Sequence, residues 1–266
     1  MPLRIATWNV NSVRIRLELL ARLNETARPD ILCLQETKVV DDLFPHTELA
    51  SLGYVHRHVA GMKSYNGVAI LSRRPFADAG GRDWCDKADC RHIHVTLENG
   101  VELHNFYVPA GGDVPDPEAN DKFAHKLRFL TDVTAWFKGR ARSGPPAILV
   151  GDLNVAPLET DVWSHKQLLN VVSHTPVEVD HLDRLQASRG WIDAVRHFIP
   201  PENRLYSWWS YRARDWSASD RGRRLDHIWV TPDLRETLAG AQVLRDVRGW
   251  DQPSDHAPVV CDLTLD

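Results

Sequence analysis

The chain has 266 residues, of which 43% are hydrophobic and 26% are charged. This composition is ordinary for a globular protein, and the length suits either two average domains or one large domain. No run of eighteen apolar residues occurs, which excludes a conventional membrane-spanning helix. The first residues lack the apolar stretch of a secretory signal, so we expect a cytoplasmic protein. The net charge of −4 argues at first against a polyanionic partner.

Short apolar runs rich in β-branched residues recur along the chain and predict strands. In chain order these runs are Leu3–Thr7, Ile31–Leu34, Val68–Leu71, Ile93–Leu97, Val101–Val108, Ala147–Val150, Ile228–Val230 and Val259–Leu263. Apolar residues at helical spacing predict helices over Val13–Ala27 and Phe123–Lys138. A third helix is predicted over His181–Ala187, and a short one opens at Thr231-Pro232 and reaches Leu238.

No linker, low-complexity tract or charge block divides the chain. The richest turn segment, Gly111–Pro117, is followed by further helix and strand patterns. We therefore predict one domain over residues 1–266, with an α+β or α/β sandwich architecture.

The four cysteines stand at positions 33, 85, 90 and 261, without a CxxC pair. Cys33 and Cys261 lie in apolar runs, which is typical of small buried hydrophobic residues. Cys85 and Cys90 flank a charged loop and are near enough in sequence to pair, but a reducing cytosol favours free thiols.

Polar side chains follow several predicted strands at the points where the strands end. They belong to the segments Trp8–Asn11, Gln35–Lys38, Tyr107–Pro109 and Gly151–Asn154, and to Ser254–Pro258 ahead of the last strand. Because strand ends of a sandwich can converge on one rim, we expect a functional site there.

These residue types suit a hard cation. Mg²⁺ binds one or two carboxylates and keeps waters for a substrate phosphate. Glu36 is the strongest ligand candidate, followed by Asn9 and Asp255, although a lone glutamate after a strand is more often a solvated strand end. The polar set from which metal ligands are expected comprises Asn9, Glu36, Asp152, Asn154, Asp255 and His256.

Acid–base groups accompany this set. Asp152 and Asn154, two apart on a turn, are suited to orient a water, and His256 suits acid–base or electrostatic support if Asp226 fixes its ring. Taken singly, each residue also has an ordinary explanation as a turn, cap or surface pair. The sequence contains no thiolate zinc motif, Walker loop or serine triad.

The segment Arg204–Arg224 carries six arginines against two aspartates. Five aromatic residues are interleaved with them, namely Tyr206, Trp208, Trp209, Tyr211 and Trp216. Local charge matters more to a polyanion than the whole-chain sum. Aromatic faces beside arginines favour nucleic-acid binding, and the alternative is a set of core tryptophans beside a solvated basic face.

The order of these elements resembles the exonuclease III type of abasic-site endonuclease, within the endonuclease/exonuclease/phosphatase superfamily. The matching segments span residues 7–258 and are Thr7–Asn11, Leu34–Lys38, Asn66–Ala69, Tyr107–Pro109, Gly151–Asn154, Tyr206–Arg212, Arg224–Asp226 and Ser254–Pro258. The GDLN and SDHAP motifs mark only the superfamily, whereas LQETK and SWWSYR are more specific to its DNA-repair branch.

The resemblance implies a four-layer αββα sandwich that hydrolyses DNA phosphodiesters by in-line attack of a water, with Mg²⁺ or alternatively Mn²⁺. It implies that Glu36 holds the metal, assisted by Asn9 and Asp255. The implied catalytic residues orient the water, hold the phosphate and stabilise developing charge; they are Tyr107, Asp152, Asn154, Asp226 and His256.

The resemblance also implies a substrate, namely double-stranded DNA cleaved 5′ of abasic sites or trimmed at 3′ ends, by a monomer. Trp208 would line a pocket for the extruded sugar, which costs less to extrude without its base. Arg91 and Arg212 would hold flanking phosphates. Arg223 stands where some relatives present an aromatic side chain to that pocket.

Three other positions depart from the family pattern. Ala110 stands where relatives usually carry Gln or Asn, Ser210 replaces a common Asp, and Asn11 replaces an Asp that some relatives place near the metal. The number of metal ions and the balance of endonuclease and exonuclease activities therefore stay open. Two alternatives also stay open: a superfamily enzyme acting on a phosphoinositide, sphingomyelin or an RNA tail, and a DNA-binding protein without catalysis.

Overall fold

A computed structural model describes residues 2–141 and 143–265 and shows two six-stranded sheets packed face to face. The strands are β1 Pro2–Asn9, β2 Ile31–Gln35, β3 His56–Ala60, β4 Val68–Ser72, β5 Phe76–Gly81, β6 His92–Leu97, β7 Glu102–Tyr107, β8 Ala147–Asp152, β9 Ile192–Asp193, β10 Trp208–Trp209, β11 Gly222–Arg223, β12 Asp226–Val230, β13 Leu238–Val243 and β14 Val259–Thr264. The α-helices are α1 Leu17–Thr26, α2 His46–Ser51, α3 Asp121–Gly139, α4 His165–Leu168, α5 Pro176–Ala187, α6 Ala194–Phe198 and α7 Trp216–Ser219. Short 3₁₀ turns cover Arg14–Arg16, Asp41–Leu43, Glu159–Asp161, Pro232–Thr237 and Arg245–Gly249.

The two sheets have related strand orders. The first sheet runs β13-β14-β1-β2-β4-β3 and the second runs β5-β6-β7-β8-β12-β9. β1 pairs with β2 in parallel and β7 pairs with β8 in parallel, whereas the other pairs within these two sheets are antiparallel. The carboxyl ends of β1, β2, β7 and β8 and the amino ends of β12 and β14 consequently meet at one edge of the sandwich.

Alternation along the strands builds three apolar layers. Every second residue of the central strands faces the other sheet, as Leu3 and Ile5 do in β1 and Ile148 and Val150 do in β8, and these side chains form the buried core between the sheets. The remaining apolar residues face outward. On the first sheet they pack under α1 and α2, and on the second sheet under α3 and α5. The four-layer αββα sandwich predicted from the sequence is confirmed.

The strands that the sequence pattern did not predict lie at sheet edges. β3, β5 and β13 are edge strands whose residues are half-buried or exposed. Edge strands carry charged, small and glycine residues, so they lack the apolar run that marks a central strand. The Phe76–Gly81 strand, for example, consists of Phe, Ala, Asp, Ala, Gly and Gly.

Two helix boundaries differ from the prediction. The third helix begins at Pro176 rather than His181. Thr175 and Glu178 form a reciprocal capping box there, and Pro176 occupies the first helical position between them. The first predicted helix, Val13–Ala27, opens as a 3₁₀ turn and becomes α-helical at Leu17. Across residues 2–141 and 143–265, none of the helices has the length and apolar character needed to cross a bilayer.

All four cysteines lie within the described residues, and all four are free thiols. Cys33 and Cys261 are buried in the core between the sheets, as predicted. Cys85 is buried and Cys90 half-buried, and no bond joins them.

Candidate active site

The inward-facing rows of the two sheets change from apolar to polar at one edge. In β1 the row reads Leu3, Ile5, Thr7, Asn9, and in β8 it reads Ile148, Val150, Asp152. The same change occurs in the neighbouring strands and creates a polar rim, defined here as Asn9, Glu36, Tyr107, Asp152, Asp226 and His256. Strand alternation thus places Asn9, Tyr107, Asp152 and Asp226, whereas Glu36 and His256 lie outside β2 and β14 and are placed by the loops that adjoin these strands.

Asn9 and Tyr107 hold Glu36 at the centre of the polar rim. The Asn9 Nδ2 atom donates to Glu36 Oε1 at 2.8 Å and to Asp152 Oδ2 at 2.9 Å, so one amide bridges the two sheets. The Tyr107 hydroxyl donates to Glu36 Oε1 at 2.9 Å, and the Lys38 ammonium lies 2.7 Å from Glu36 Oε2. Burial opposes the charge of Glu36, but the bonds from Asn9 and Lys38 outweigh it and lower the pKa of that carboxyl.

The backbone around Glu36 is held in an uncommon conformation. Glu36 has φ of 53° and Lys38 has φ of 54°, in the left-handed region that non-glycine residues seldom occupy. The amides of Thr37 and Lys38 donate to the carbonyls of Gly67 and Asn66, respectively. A Cβ atom on Gly67, whose φ is +90°, would lie 2.1 Å from Thr37 Oγ1, so only glycine permits this close approach. Strained backbone fixed by its surroundings is typical of functional sites.

Asp152 is buried in the polar rim and is 1% exposed. Its Oδ1 atom accepts a hydrogen bond from the backbone N–H of Asn154 at 3.0 Å. Gly151 precedes it with φ of +140°, and a Cβ there would lie 1.9 Å from the Phe106 carbonyl oxygen. Burial raises the pKa of Asp152 to about 7, and the nearby negative charges of Asp226 and Glu36 add to that effect against the opposing influence of His256. Such a carboxyl can accept a proton near neutral pH.

His256 links two carboxylates across the polar rim. Its Nδ1 atom lies 2.8 Å from Asp226 Oδ2, and its Nε2 atom lies 3.7 Å from Asp152 Oδ2. The Ser207 hydroxyl donates to the same Asp226 oxygen at 2.6 Å. Burial disfavours the charged ring, but the Asp226 and Asp152 carboxylates outweigh it and raise the pKa of His256 well above its ordinary value.

The donor chemistry of the polar rim fits a hard metal ion. Three buried or largely buried carboxylates, those of Glu36, Asp152 and Asp226, share this small region, and the Oδ1 atom of Asp226 has no hydrogen-bond partner among the described residues. One oxygen each from Asp152 and Asp226 and one nitrogen of His256 lie within 4.8 Å of one another. Oxygen ligands of this kind are what Mg²⁺, Mn²⁺ and Ca²⁺ prefer. The protein thus has an acidic site able to hold a metal ion.

The other predicted ligands lie close to this site. Asp255 lines the same cleft, and its Oδ2 atom accepts from Trp208 Nε1 at 2.9 Å. Asn154, with φ of 55°, donates from Nδ2 to the Val108 carbonyl at 2.9 Å. Asn11 accepts at Oδ1 from Lys38 Nζ at 2.5 Å, so this departure from the family pattern places an amide beside the Glu36 ion pair.

A cleft of about 680 Å³ opens above the polar rim. The predicted DNA-contacting residues Trp208, Arg212 and Arg223 line it, together with Trp163, Arg221, Ala110 and Ser210. The Arg223 guanidinium lies 5.3 Å from the Trp208 ring centroid and donates to the Val172 carbonyl at 2.9 Å and to Ser173 Oγ at 2.8 Å. Arg91 is not among the residues that line the cleft. It pairs with Asp89 and lies 4.9 Å from the Tyr107 ring centroid.

The Arg204–Arg224 segment is not one continuous surface. Trp209 and Tyr206 are buried in an apolar cluster, so for these two residues the interpretation as core aromatics is right. Arg224 is 1% exposed and bonds Asp161 and Asp193, so it belongs to the interior. The exposed basic groups left at the cleft are those of Arg212 and Arg221.

Several polar residues with no role predicted from the sequence support the polar rim from below. Gln35 Nε2 donates to Asn105 Oδ1 at 2.7 Å and to Thr7 Oγ1 at 2.9 Å, and Asn105 Nδ2 donates to the Leu34 and Ala69 carbonyls. This fully buried network joins the two sheets one layer beneath Glu36 and Asp152. The sequence did indicate these residues, because Gln35 and Asn105 each follow alternate apolar residues of a strand that face the core.

A second buried support lies beside Asn154. Lys126 forms an ion pair with Glu178 and donates to the Asn154 carbonyl at 2.7 Å. Both side chains are fully buried, and each comes from a helix, α3 and α5 respectively. A lysine and a glutamate on two helices give no sequence signal of their pairing.

A four-layer sandwich whose two sheets meet at a carboxylate, amide and imidazole rim defines a hydrolase scaffold. The chain belongs to the Endonuclease/Exonuclease/phosphatase family, which it matches over residues 6–256. It is 30% identical to exodeoxyribonuclease III of Haemophilus influenzae over 269 residues, with 97% of this chain and 98% of that protein covered.

Two solved structures share this architecture closely. The 3′ phosphatase NExo from Neisseria, bound to a product DNA hairpin, has a TM-score of 0.90 and 32% identity, with 99% of this chain and 100% of that chain covered. An AP endonuclease from Archaeoglobus fulgidus gives the same TM-score, identity and coverage. The family resemblance drawn from the sequence motifs is confirmed.

Proposed function

We propose that this protein is a Mg²⁺-dependent DNA repair nuclease that cleaves the backbone 5′ of abasic sites and removes nucleotides or blocking groups from 3′ ends. The observation that carries the proposal is the polar rim itself, in which one Asn9 amide joins Glu36 to Asp152 while His256 lies between Asp152 and Asp226. The names of its relatives, an exodeoxyribonuclease III, an AP endonuclease and a 3′ phosphatase, support DNA as the substrate.

The residues fit hydrolysis of a phosphodiester by a water molecule. Asp152 accepts a proton from the water molecule as the water oxygen attacks phosphorus. The bond from phosphorus to the leaving oxygen breaks, and the leaving oxygen takes up a proton from solvent. The backbone N–H of Asn154 orients the Asp152 carboxylate. The His256 imidazolium donates to a phosphoryl oxygen, where negative charge develops. The Tyr107 hydroxyl, whose one proton is donated to Glu36 in this structure, would turn to the phosphate when substrate binds.

Glu36, assisted by Asn9 and Asp255, would hold the metal. A bound Mg²⁺ would supply charge neutralisation at the phosphate, and Mn²⁺ suits the same oxygen donors. Glu36 already accepts three hydrogen bonds or ion contacts, from Asn9, Lys38 and Tyr107, which fixes the orientation of its carboxylate.

The cleft supports a substrate with a flipped-out sugar. Trp208 offers an apolar face beside the polar rim, and Arg223 stacks against it rather than pointing freely to solvent. Arg212 is exposed at the cleft edge, where it would bind a flanking phosphate. Arg91 stacks on the Tyr107 ring beside the cleft, where it would bind a phosphate flanking the cleavage site.

The decisive experiment offers the purified protein a duplex with one abasic analogue, a 3′-recessed duplex, a 3′-phosphate duplex, a phosphoinositide, sphingomyelin and an RNA tail. We expect Mg²⁺-dependent nicking of the abasic duplex and processing of the 3′ ends, both abolished by EDTA. The Asp152→Asn variant is the matched control, since it should lose cleavage and keep DNA binding.

Two outcomes would favour the alternatives. Faster turnover of a phosphoinositide, sphingomyelin or RNA tail than of any DNA would assign the chain to another branch of the family. Binding of abasic DNA without nicking, at any Mg²⁺ or Mn²⁺ concentration, would indicate a DNA-binding protein without catalysis.

A further inference from the structure

Three histidines lie together on the outer face of the second sheet, in the layer opposite to the one that carries the polar rim. His92 and His94 stand two apart on β6, so their side chains share a face, and His104 is paired directly with His94 on β7. One ligating nitrogen from each lies within 4.8 Å of the other two. The Nε2 atom of His92 and the Nδ1 atom of His104 are 3.2 Å apart.

A carboxylate fixes the tautomer of one of these rings. Glu102 Oε2 lies 3.1 Å from His104 Nε2, and Arg140 Nη2 lies 2.6 and 2.7 Å from the two oxygens of Glu102. The His104 contact, with help from Arg140, lowers the pKa of Glu102 to about 2, so this carboxylate only accepts hydrogen bonds. The proton of His104 is therefore on Nε2, and its Nδ1 lone pair faces His92. Histidines that ligate metals are held in this way by a carboxylate behind them.

Hydrogen bonds within the protein satisfy the cluster only in part: His92 Nε2 can donate to His104 Nδ1 at 3.2 Å, whereas the Nδ1 atom of His92, which does not face His104, is unpartnered within the described part of the chain. The buried Nδ1 atoms of His92 and His94 have no hydrogen-bond partner among the described residues. Burial lowers the pKa of all three histidines, so the rings stay neutral, which is the form that ligates metals. The surrounding side chains are aromatic, with Trp84, Trp136 and Phe106 all within ring contact of His92.

The strand beside His94 leaves space for its ring. Gly80 on β5 faces His94, and a Cβ atom at that position would lie 2.8 Å from His94 Cε1. His94 is half-buried, whereas His92 and His104 are buried. His94 is therefore the member of the cluster that an ion from solvent would meet first.

We propose that His92, His94 and His104 form a second metal site, one that binds Zn²⁺ through three imidazole nitrogens and leaves a fourth position for water. Its nitrogen donors distinguish it from the oxygen donors of the polar rim, because imidazole suits Zn²⁺ whereas carboxylate and amide oxygens suit Mg²⁺. The site is independent of the proposed nuclease reaction. It joins β6, which starts directly after Arg91, to β7, which ends at Tyr107, so occupancy would stabilise these two strands.

The test uses the full chain in a background that removes competing sites at the polar rim, the Glu36→Gln, Asp152→Asn double variant. After EDTA treatment and dialysis, calorimetry measures Zn²⁺ binding and elemental analysis measures the bound metal. We expect one Zn²⁺ per chain and a higher melting temperature with Zn²⁺ but not with Mg²⁺. Co²⁺ should give the visible absorption spectrum of a nitrogen-ligated ion.

Three further variants in that background locate the site. His94→Gln, at a half-buried position, should weaken Zn²⁺ binding by more than about 100-fold, and Glu102→Gln by about 10–100-fold through loss of the carboxylate behind His104. His125→Gln changes a half-buried histidine outside the cluster and should bind Zn²⁺ normally. Far-ultraviolet circular dichroism checks folding, and if His94→Gln is unfolded the Glu102→Gln result decides. Absence of Zn²⁺ binding in the double variant, or equal affinity after loss of His94 or Glu102, would overturn the proposal.

Discussion

The Nδ1 atom of His256 lies 2.8 Å from Oδ2 of Asp226, and both side chains are buried at the point where the two sheets meet. Asp226 is the first residue of β12 and is paired with Asp152 of β8, which places the carboxylate behind the ring. This arrangement directs the other ring nitrogen toward Asp152 and keeps the imidazole charged.

Asp226→Asn should lower kcat for the abasic duplex by about 10²–10⁴-fold, the range for loss of a positioned acid–base group. The amide would no longer hold the pKa of His256 above its ordinary value, so the imidazolium would be lost at lower pH. The alkaline limb of the pH–rate profile should therefore move to lower pH, while the dissociation constant for DNA stays unchanged. Single-turnover kinetics across pH measures both quantities.

Ser207→Ala provides the control for that experiment. The Ser207 hydroxyl donates to the same Asp226 oxygen at 2.6 Å, and its side chain has no hydrogen bond to His256 among the described residues. We expect a smaller loss of kcat and an unmoved alkaline limb. An equal shift of the alkaline limb in both variants would show that packing around Asp226, rather than its charge, causes the shift.

Glu36→Gln should raise the Mg²⁺ concentration needed for half-maximal activity. The amide removes the negative charge expected to hold the ion. We expect the required Mg²⁺ concentration to rise by more than about 10-fold, because loss of even a supporting group around a metal lowers its affinity by about 10–100-fold. A Mg²⁺ titration of nicking rate measures it. Glu18→Gln, an exposed change at the start of α1, should leave the titration unchanged. A Glu36 variant with the wild-type midpoint would locate the metal elsewhere.

Much of the fold was predictable because the central strands are apolar and periodic. β2, β4, β8 and β14 appear in the sequence as compact apolar runs, and their bounds agree with the predictions to within two residues. The edge strands β3 and β5 were not predictable in this way, since an edge position removes the need for apolar residues on both faces.

The candidate site was predictable for a related reason. Asn9, Asp152 and Asp226 continue inward-facing rows, so their meeting follows from strand alternation once the strands are paired. The partners of Arg224 were not predictable, because its bonds to Asp161 and Asp193 span 63 and 31 residues and depend on tertiary packing. The same limit applies to the ion pair between Arg140 and Glu102, because Arg140 follows α3 and stands 38 residues from Glu102 in the sequence.

Two arginines of the Arg204–Arg224 segment should respond to substitution in opposite ways. Arg224→Met removes one partner of a buried ion-pair network with Asp161 and Asp193, so it should lower the free energy of unfolding by about 3–5 kcal/mol. Arg212→Ala changes an exposed side chain and should alter stability by less than about 0.5 kcal/mol. Urea denaturation of both variants measures the difference.

The effects of these two substitutions on DNA binding should have the opposite order, with the larger effect for Arg212→Ala. Arg212→Ala should weaken binding to all duplexes and reduce the dependence of log K on log salt by about one unit of slope, as expected when one phosphate contact is lost. Fluorescence anisotropy across a salt series measures this slope. An unchanged slope for Arg212→Ala would remove this residue from the DNA-contacting set.

Stability should fall as the pH is lowered because His227 is buried in its neutral form. Burial, and then the nearby positive charge of Arg224, lower the pKa of His227 to about 4 from the ordinary 6.5. The unfolded chain therefore takes up a proton as the pH drops below about 6.5, whereas the folded chain does not until about pH 4. The stabilisation is fully present above pH 6.5 and is lost as the pH falls toward 4.

Between pH 7.5 and pH 5 this single group should account for about 2 kcal/mol of lost unfolding free energy. His227→Gln should show a shallower decline than the wild type over that interval, even though loss of the contact between His227 Nε2 and the Val155 carbonyl lowers its stability overall. The exposed substitution His197→Gln should keep the wild-type slope. Urea denaturation at several pH values measures the slopes, and equal slopes for His227→Gln and the wild type would show that the folded protein admits the proton on His227 without penalty.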